Sequence, residues 1–319
     1  MQSEPISIQS EPQTHCMLCG SDGHILYARL RDRLFSAPGE WNLNECTNSA
    51  CRLIWLDPMP IEEDIGKAYH TYYTHERRSI PVLERLLAWI LYGSLGLLGE
   101  RRRSDGAYLE GITPGRILEI GFGDGSRMER LVASGWQVEG QEVDAVSVAN
   151  ARTRGLNVHE GSLKSCRLAA ATYDAIIGSH VIEHVHDPEG MLRECYRLLT
   201  PGGILVLYTP NSESYGHRVF AEHWLGLDPP RHLHIFAGDT MAALIQNAGF
   251  REYRIRTSHA KTGTTLRASI DIQNSGQHTM GGSPRLRIAA EEVVHVCLAR
   301  LQQLFGAHNG EELVVTAVK

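Results

Sequence analysis

The stretch that most restricts the fold begins at residue 116 and reads RILEI, GFGDG, SRMERLVASG, WQVEGQEVD. A short apolar strand, a glycine-rich turn, a helical pattern and a second strand ending in acids follow one another directly. That succession is the opening unit of a nucleotide-binding, doubly wound α/β sheet. Gly121, Gly123 and Gly125 let the backbone pass close beneath a ligand, and an acid closing the second strand can grip ribose hydroxyls. The turn continues Gly125-Ser126-Arg127. It lacks the further glycine with which dinucleotide enzymes bring a helix N-terminus against pyrophosphate. Glu119 stands two residues before the first glycine, where it repels pyrophosphate but suits a ligand with a cationic amino group. An NAD(P)-binding oxidoreductase is the rival reading, and Glu119 and the missing glycine speak against it.

S-adenosylmethionine, which carries an ammonium and a sulfonium, is a ligand of the favoured kind. At this point the chain resembles the class I S-adenosylmethionine-dependent methyltransferases. YDAIIGSHVIEHVHDP (173–188) resembles that family's fourth strand and following loop. ECYRLLTPGGILVLYTPN (194–211) resembles its next helix, Pro-Gly-Gly turn and fifth strand, and PRHLHIFAGDTMAALIQNAGF (230–250) its later helix with an Ala-Gly-Phe ending. The motifs stand in the family's order between residues 111 and 258. Within the family, the resemblance is to the branch that includes the ubiquinone-biosynthesis O-methyltransferases.

The resemblance implies a Rossmann-like class I methyltransferase sheet, S-adenosylmethionine as cofactor and a small-molecule acceptor. O-methylation is favoured over C- or N-methylation. Glu119, Gly121, Gly123 and Gly125 would hold the methionine part of the cofactor. Glu142 sits where the family places its ribose acid, with Asp144 the runner-up. Ser162 and Leu163 fall where the family flanks adenine, although the acid that usually reads the adenine amino group is missing. Ser179 and His180 would lie beside the cofactor. Physically the reaction asks little of the protein, which must align a nucleophile and remove a proton where required.

The crowded stretch GSHVIEHVHDPEG (178–190) has the H-x-x-E-H spacing of some zinc enzymes. Those motifs lie inside a long helix, and this one does not. His184 belongs to the family's Ile-Glu-His pattern and has two readings, a base for an acceptor hydroxyl or a packed loop residue. In ubiquinone-branch relatives an acid replaces His180 and joins the Glu-His pair in holding a divalent cation, so His180 keeps a metal alternative open. Asp187 and Pro188 have the form of an N-cap and first helical position. His232, in PRHLHIF, is the second candidate for acceptor contact, and Tyr215 and His217 lie where relatives line the cleft.

Four of the seven cysteines stand near the N-terminus, in CMLCG (Cys16, Cys19) and CTNSAC (Cys46, Cys51). Two close pairs on separate turns point to a tetrahedral, structural Zn²⁺ held by four thiolates. Gly20 lets the first turn fold back beneath the metal, and the second pair has four intervening residues instead of two. A cysteine knuckle ahead of the fold is similar to bacterial methyltransferases of sugars and secondary metabolites. Cys166, Cys195 and Cys297 read as packed core thiols.

A net charge of −6 argues against the basic surface that nucleic-acid binding needs, although local clusters such as Arg101-Arg102-Arg103 remain. The N-terminus lacks the form of a signal peptide, which predicts a cytoplasmic protein with reduced thiols. The most apolar run, LLAWILYGSLGLLG (86–99), is too short to span a bilayer. The expected organisation is a zinc-knuckle domain (1–65), a helical linker and lid (66–110), an S-adenosylmethionine-binding core (111–259), an insertion and helix (260–310) and a final core strand (311–319). Tyr69, Tyr72 and Tyr73 would belong to the lid. The polar segment 262–285 reads as a flexible insertion able to set substrate choice or a dimer contact, in a monomer or homodimer. An inactive methyltransferase-fold, zinc-bearing binding protein and a macromolecular methyltransferase are the remaining rivals.

Overall fold

The computed structural model describes residues 7–69, 93, 97–279 and 286–319. Tyr72, Tyr73 and most of the apolar run at 86–99 lie outside the described residues. The chain divides into two compact units. One, the cysteine unit, gathers Met1–Tyr73, Pro210–Met241 and Lys261–Glu311; the other, the sheet unit, comprises Thr74–Thr209, Ala242–Ala260 and Glu312–Lys319.

The sheet unit is built on β1 (Arg116–Ile120), β2 (Gln137–Glu142), β3 (Asn157–Glu160), β4 (Tyr173–Ser179), β5 (Leu199–Pro210), β6 (Glu252–Ser258) and β7 (Glu312–Val318). Their order across the sheet is β6-β7-β5-β4-β1-β2-β3. The β5-β4, β4-β1, β1-β2 and β2-β3 pairs are parallel, and β6 runs antiparallel to β7. Near-continuous apolar strands such as β1 and β4 suit parallel neighbours, because crossover helices cover both faces of the sheet. Ile117, Leu118 and Ile120 of β1 and Ala175, Ile176 and Ile177 of β4 are all buried.

The helices obey the same logic. Ser126–Ala133 buries Met128 and Leu131, three apart on one face. Pro188–Leu198 buries Met191, Leu192, Cys195 and Leu198. Its start has the expected chemistry: Asp187 Oδ1 accepts from the Gly190 amide at 2.7 Å, and Pro188 occupies the first turn. Chain order reverses between β1 and β4, and at such a switch point doubly wound sheets bind ligands beyond the carboxyl ends of the strands. The glycine turn after β1 and the Ser179-His180 step after β4 both lie there.

The cysteine unit carries an antiparallel sheet of Gly23–Leu30, Trp41–Cys46, Ile54–Asp57 and, from much later in the chain, His234–Ile235. Arg231 is fully buried, and both Nη atoms reach Asp32, at 2.7 and 2.8 Å, while Nε reaches Asp228 at 3.0 Å. Two of the expectations fail in this unit. The segment read as a flexible insertion starts with a 14-residue helix, Thr262–Ser275, which buries Leu266, Ala268, Ile270 and Ile272. Its threonines, serines and glycine are poor helix formers, so packing of the apolar positions overrides propensity. Cys297, read as a core thiol, is exposed, because the helix Leu286–Leu304 turns Glu292, Val296 and Ala299 inward. Cys195 is buried and Cys166 half-buried.

Candidate functional site

In the sheet unit, β1 delivers Glu119 to the start of the glycine turn. Glu119 is 3% exposed, and its Oε2 has no hydrogen-bond partner among the described residues. Burial raises Glu119 to about 7, against the opposing pull of Arg127. Gly121, Gly123 and Gly125 all take positive φ, which an L side chain resists. A Cβ on Gly121 would approach Val181 to 2.5 Å, whereas one on Gly123 would meet no protein atom within 4 Å. The turn therefore presents bare backbone beside a buried carboxylate.

At the end of β2, Glu142 reaches back over this turn. Its Oε2 accepts from the Gly123 amide at 3.0 Å, and Oε1 accepts from the Val143 and Asp144 amides. Asp144 instead caps the helix Ala145–Thr153, accepting from the Val146 and Ser147 amides. Ser162 Oγ accepts from the Ser165 amide and closes its own turn, with Leu163 buried beside it.

At the end of β4, Ser179 Oγ receives Nη2 of Arg127 at 3.2 Å. His180 takes a φ of 55°. Its Nδ1 stands 3.0 Å from Glu183 Oε1 and its Nε2 2.7 Å from Glu312 Oε1. Glu183 is fully buried and also accepts from Thr209 Oγ1 at 3.0 Å. Both imidazole nitrogens are thus directed at carboxylates, which leaves neither as a ligand in this arrangement. His184 ends the one-turn helix Ile182–His184, half-buried. Glu312, at the start of β7, was missed by sequence reasoning because only the tertiary fold brings it to His180. Arg127 was missed as well, although a charged residue immediately after the glycine turn was a usable signal.

The other residues belong to the cysteine unit. His232 is 8% exposed and its Nδ1 lies 2.8 Å from the Gly226 carbonyl, which can only accept. Nδ1 therefore carries the proton of the neutral ring, and Nε2 takes the acceptor form. His217 is held between the Ser212 carbonyl, 2.6 Å from Nδ1, and Tyr27 Oη, 3.0 Å from Nε2, with burial lowering its basicity. Tyr215 is buried, and its hydroxyl lies 2.8 Å from His295 Nδ1.

Cys16, Cys19, Cys46 and Cys51 converge within the same unit, with all four Sγ atoms within 4.8 Å of one another. Cys16 and Cys51 are 3.6 Å apart, and Cys19 and Cys46 3.4 Å. The first turn is closed by the Gly20 amide to the Cys16 carbonyl, with Gly20 at a φ of 74°. Burial raises the Cys19 thiol, but hydrogen bonds from the Ser21 hydroxyl and amide outweigh it and bring it to about 6. Burial carries Cys46 to about 11 and Cys51 above the usual thiol range.

A mostly parallel sheet of this order, with a glycine turn and buried acid at its switch point, defines the class I methyltransferase architecture. Residues 97–253 match the family model described as a methyltransferase domain. The chain is similar to a probable S-adenosylmethionine-dependent methyltransferase of Mycobacterium tuberculosis, with 26% identity covering 64% of this chain and 76% of that protein. It is also similar to the ubiquinone biosynthesis O-methyltransferase of Maricaulis maris, with 29% identity covering 56% and 66%. Among solved structures, it resembles phosphoethanolamine N-methyltransferase 2 of Haemonchus contortus in complex with S-adenosyl-L-methionine. That match has a TM-score of 0.48 and 16% identity, covering 88% of this chain and 70% of the other. The protein is an S-adenosylmethionine-dependent methyltransferase. The residues present fit that cofactor: a buried carboxylate oxygen without a partner awaits a cation, beside a glycine whose missing Cβ leaves space over the turn.

Proposed function

We propose that this protein methylates a hydroxyl of a small molecule, in the manner of an O-methyltransferase acting on a sugar or secondary metabolite. The observation that carries the cofactor part is Glu119, buried at the switch point with Oε2 unpartnered. Glu119 and the turn from Gly121 to Gly125 would hold the methionine end, and Glu142 the ribose. Ser162 and Leu163 would flank adenine, and Ser179 and His180 would lie beside the cofactor at the end of β4. Bound there, S-adenosylmethionine supplies a methyl group on an already activated sulfonium.

The choice of a hydroxyl acceptor is supported by the O-methyltransferase relative and by two histidines able to take a proton. His232 has its tautomer set by Gly226, so Nε2 can serve as the base. His184 is the second candidate, on the loop after β4. His180, held between two carboxylates, orients that loop.

The four clustered thiols support a structural zinc. Thiolates about 2.3 Å from a tetrahedral metal lie about 3.8 Å apart, near the two shorter Sγ separations. Protein would fill all four positions, so this metal would hold the unit together and take no part in methyl transfer.

The test is calorimetric titration with S-adenosylhomocysteine and with NADH, followed by methyl transfer to a panel of hydroxylated and amine acceptors with His184→Ala and His232→Ala variants. The expected result is binding of S-adenosylhomocysteine alone, with one histidine variant losing about 10²- to 10⁴-fold in turnover. Binding of NADH alone sinks the cofactor reading. Turnover confined to amine acceptors, or unchanged in both variants, sinks the acceptor and base.

A further inference from the structure

Arg127 is the second residue of the helix Ser126–Ala133, directly after the glycine turn. A cation in a helix's first turn is electrostatically disfavoured and normally extends into water. Here the side chain is only 16% exposed. Its Nη1 stands 3.4 Å from Glu119 Oε1, its Nη2 3.2 Å from Ser179 Oγ, and its guanidinium carbon 5.2 Å from the Tyr208 ring centroid. The ring and the serine fix the guanidinium where it is.

As an ion pair, Arg127 and Glu119 are poorly closed. Charge-assisted hydrogen bonds between such groups run at about 2.7–2.9 Å, well inside the observed separation. Each partner also keeps a buried polar atom without a hydrogen bond among the described residues, Nε of Arg127 and Oε2 of Glu119. A purely structural salt bridge at this depth would satisfy those atoms, because leaving them unmade is costly. Two opposite charges are therefore held near each other with unused valence, beside the bare backbone of Gly123. That is a template for a molecule bearing one positive and one negative group on the same carbon, and the free end of an α-amino acid is such a group.

We propose that Arg127 binds the α-carboxylate of the cofactor's methionine end while Glu119 takes its α-ammonium, so that the pair reads the whole zwitterion. The inference rests on the S-adenosylmethionine reading above and adds a specificity to it. The guanidinium's planar fork offers a carboxylate two parallel donors. The carboxylate also removes the penalty of a lone cation at the helix start. The protein then discriminates against adenosyl ligands that keep the amine but lack the carboxylate.

The experiment compares three ligands by calorimetry on the full chain: S-adenosylhomocysteine, its decarboxylated analogue, and 5′-methylthioadenosine, which lacks both charges. The wild type is expected to bind S-adenosylhomocysteine about 10- to 100-fold more tightly than the decarboxylated analogue. Arg127→Leu should erase that ratio, weakening S-adenosylhomocysteine while leaving 5′-methylthioadenosine within a few-fold. Arg127→Lys keeps the charge without the fork and should retain part of the ratio; it reads the same quantity if the leucine variant fails to fold. An unchanged ratio in both variants overturns the proposal, as does an equal loss for all three ligands, which marks a structural role. A wild type that binds the three ligands equally sinks this inference alone. A wild type that binds none of them sinks the methyltransferase reading with it.

Discussion

The two units solve the problem of stability differently. The sheet unit has an interior of near-continuous apolar strands, with Ile117, Ile177 and Val206 in one buried cluster. The cysteine unit, assembled like the sheet unit from three separated segments, is stitched differently. Beside buried apolar residues of its own, such as Leu43, Leu53 and Trp55, it carries polar staples: four convergent thiols and an arginine buried between two aspartates. A long apolar run stabilises itself through area removed from water. Segments that arrive from distant positions are held in one arrangement by specific, fully partnered polar bonds.

The largest way to break this contrast is at the thiols. Replacing Cys16 and Cys51 by serine, or stripping metal with a chelator, should unfold the cysteine unit, because structural zinc supplies on the order of 10 kcal/mol to a fold of this kind. Melting followed by circular dichroism, with zinc content measured alongside, reads the effect. Full-length protein free of zinc that melts like the wild type would remove the metal from the account.

The second staple gives a smaller effect. Arg231→Ala leaves Asp32 and Asp228 without their cation and should cost about 3–5 kcal/mol in chemical denaturation. In the same experiment, the double replacement of Arg231 and Asp32 by apolar residues of similar size should recover part of the loss, since no charge then stays buried alone at that contact.

The sheet unit is probed through the buried acid before its glycine turn. Glu119 is raised from 4.5 to about 7 in the folded protein. Between those values the folded chain holds a proton that the unfolded chain has released, so stability falls as pH rises. The loss totals about 3 kcal/mol and is complete above about 7. Glu119→Gln should flatten this slope in urea denaturation at a series of pH values. A slope unchanged by that substitution would mean that other groups carry it.

Much of the sheet unit was legible in the chain. RILEI and YDAIIGS announce buried strands by near-continuous apolar runs, and Asp187-Pro188 announces a helix start by local hydrogen-bond chemistry. The cysteine pairs announce their cluster by spacing alone. The helix Thr262–Ser275 was not legible, because its residues have low helix propensity and a polar average. Its apolar positions acquire meaning only against the elements they pack on. Cys297 was misread for the complementary reason, since a helix has an outside that composition does not reveal.

The sequence by itself determined the order of strands and helices, the glycine turn with its acid, and the chemistry those elements are suited to. These depend on periodicities and contacts within a few residues. Only the tertiary structure decided that His180 would sit between Glu183 and a glutamate 132 residues later, that Arg127 would turn inward to Glu119, and that Asp144 would serve its helix while Glu142 faces the turn. Those outcomes depend on which side chains burial brings within hydrogen-bonding distance, and that distance is fixed by the packed sheet and not by separation along the chain.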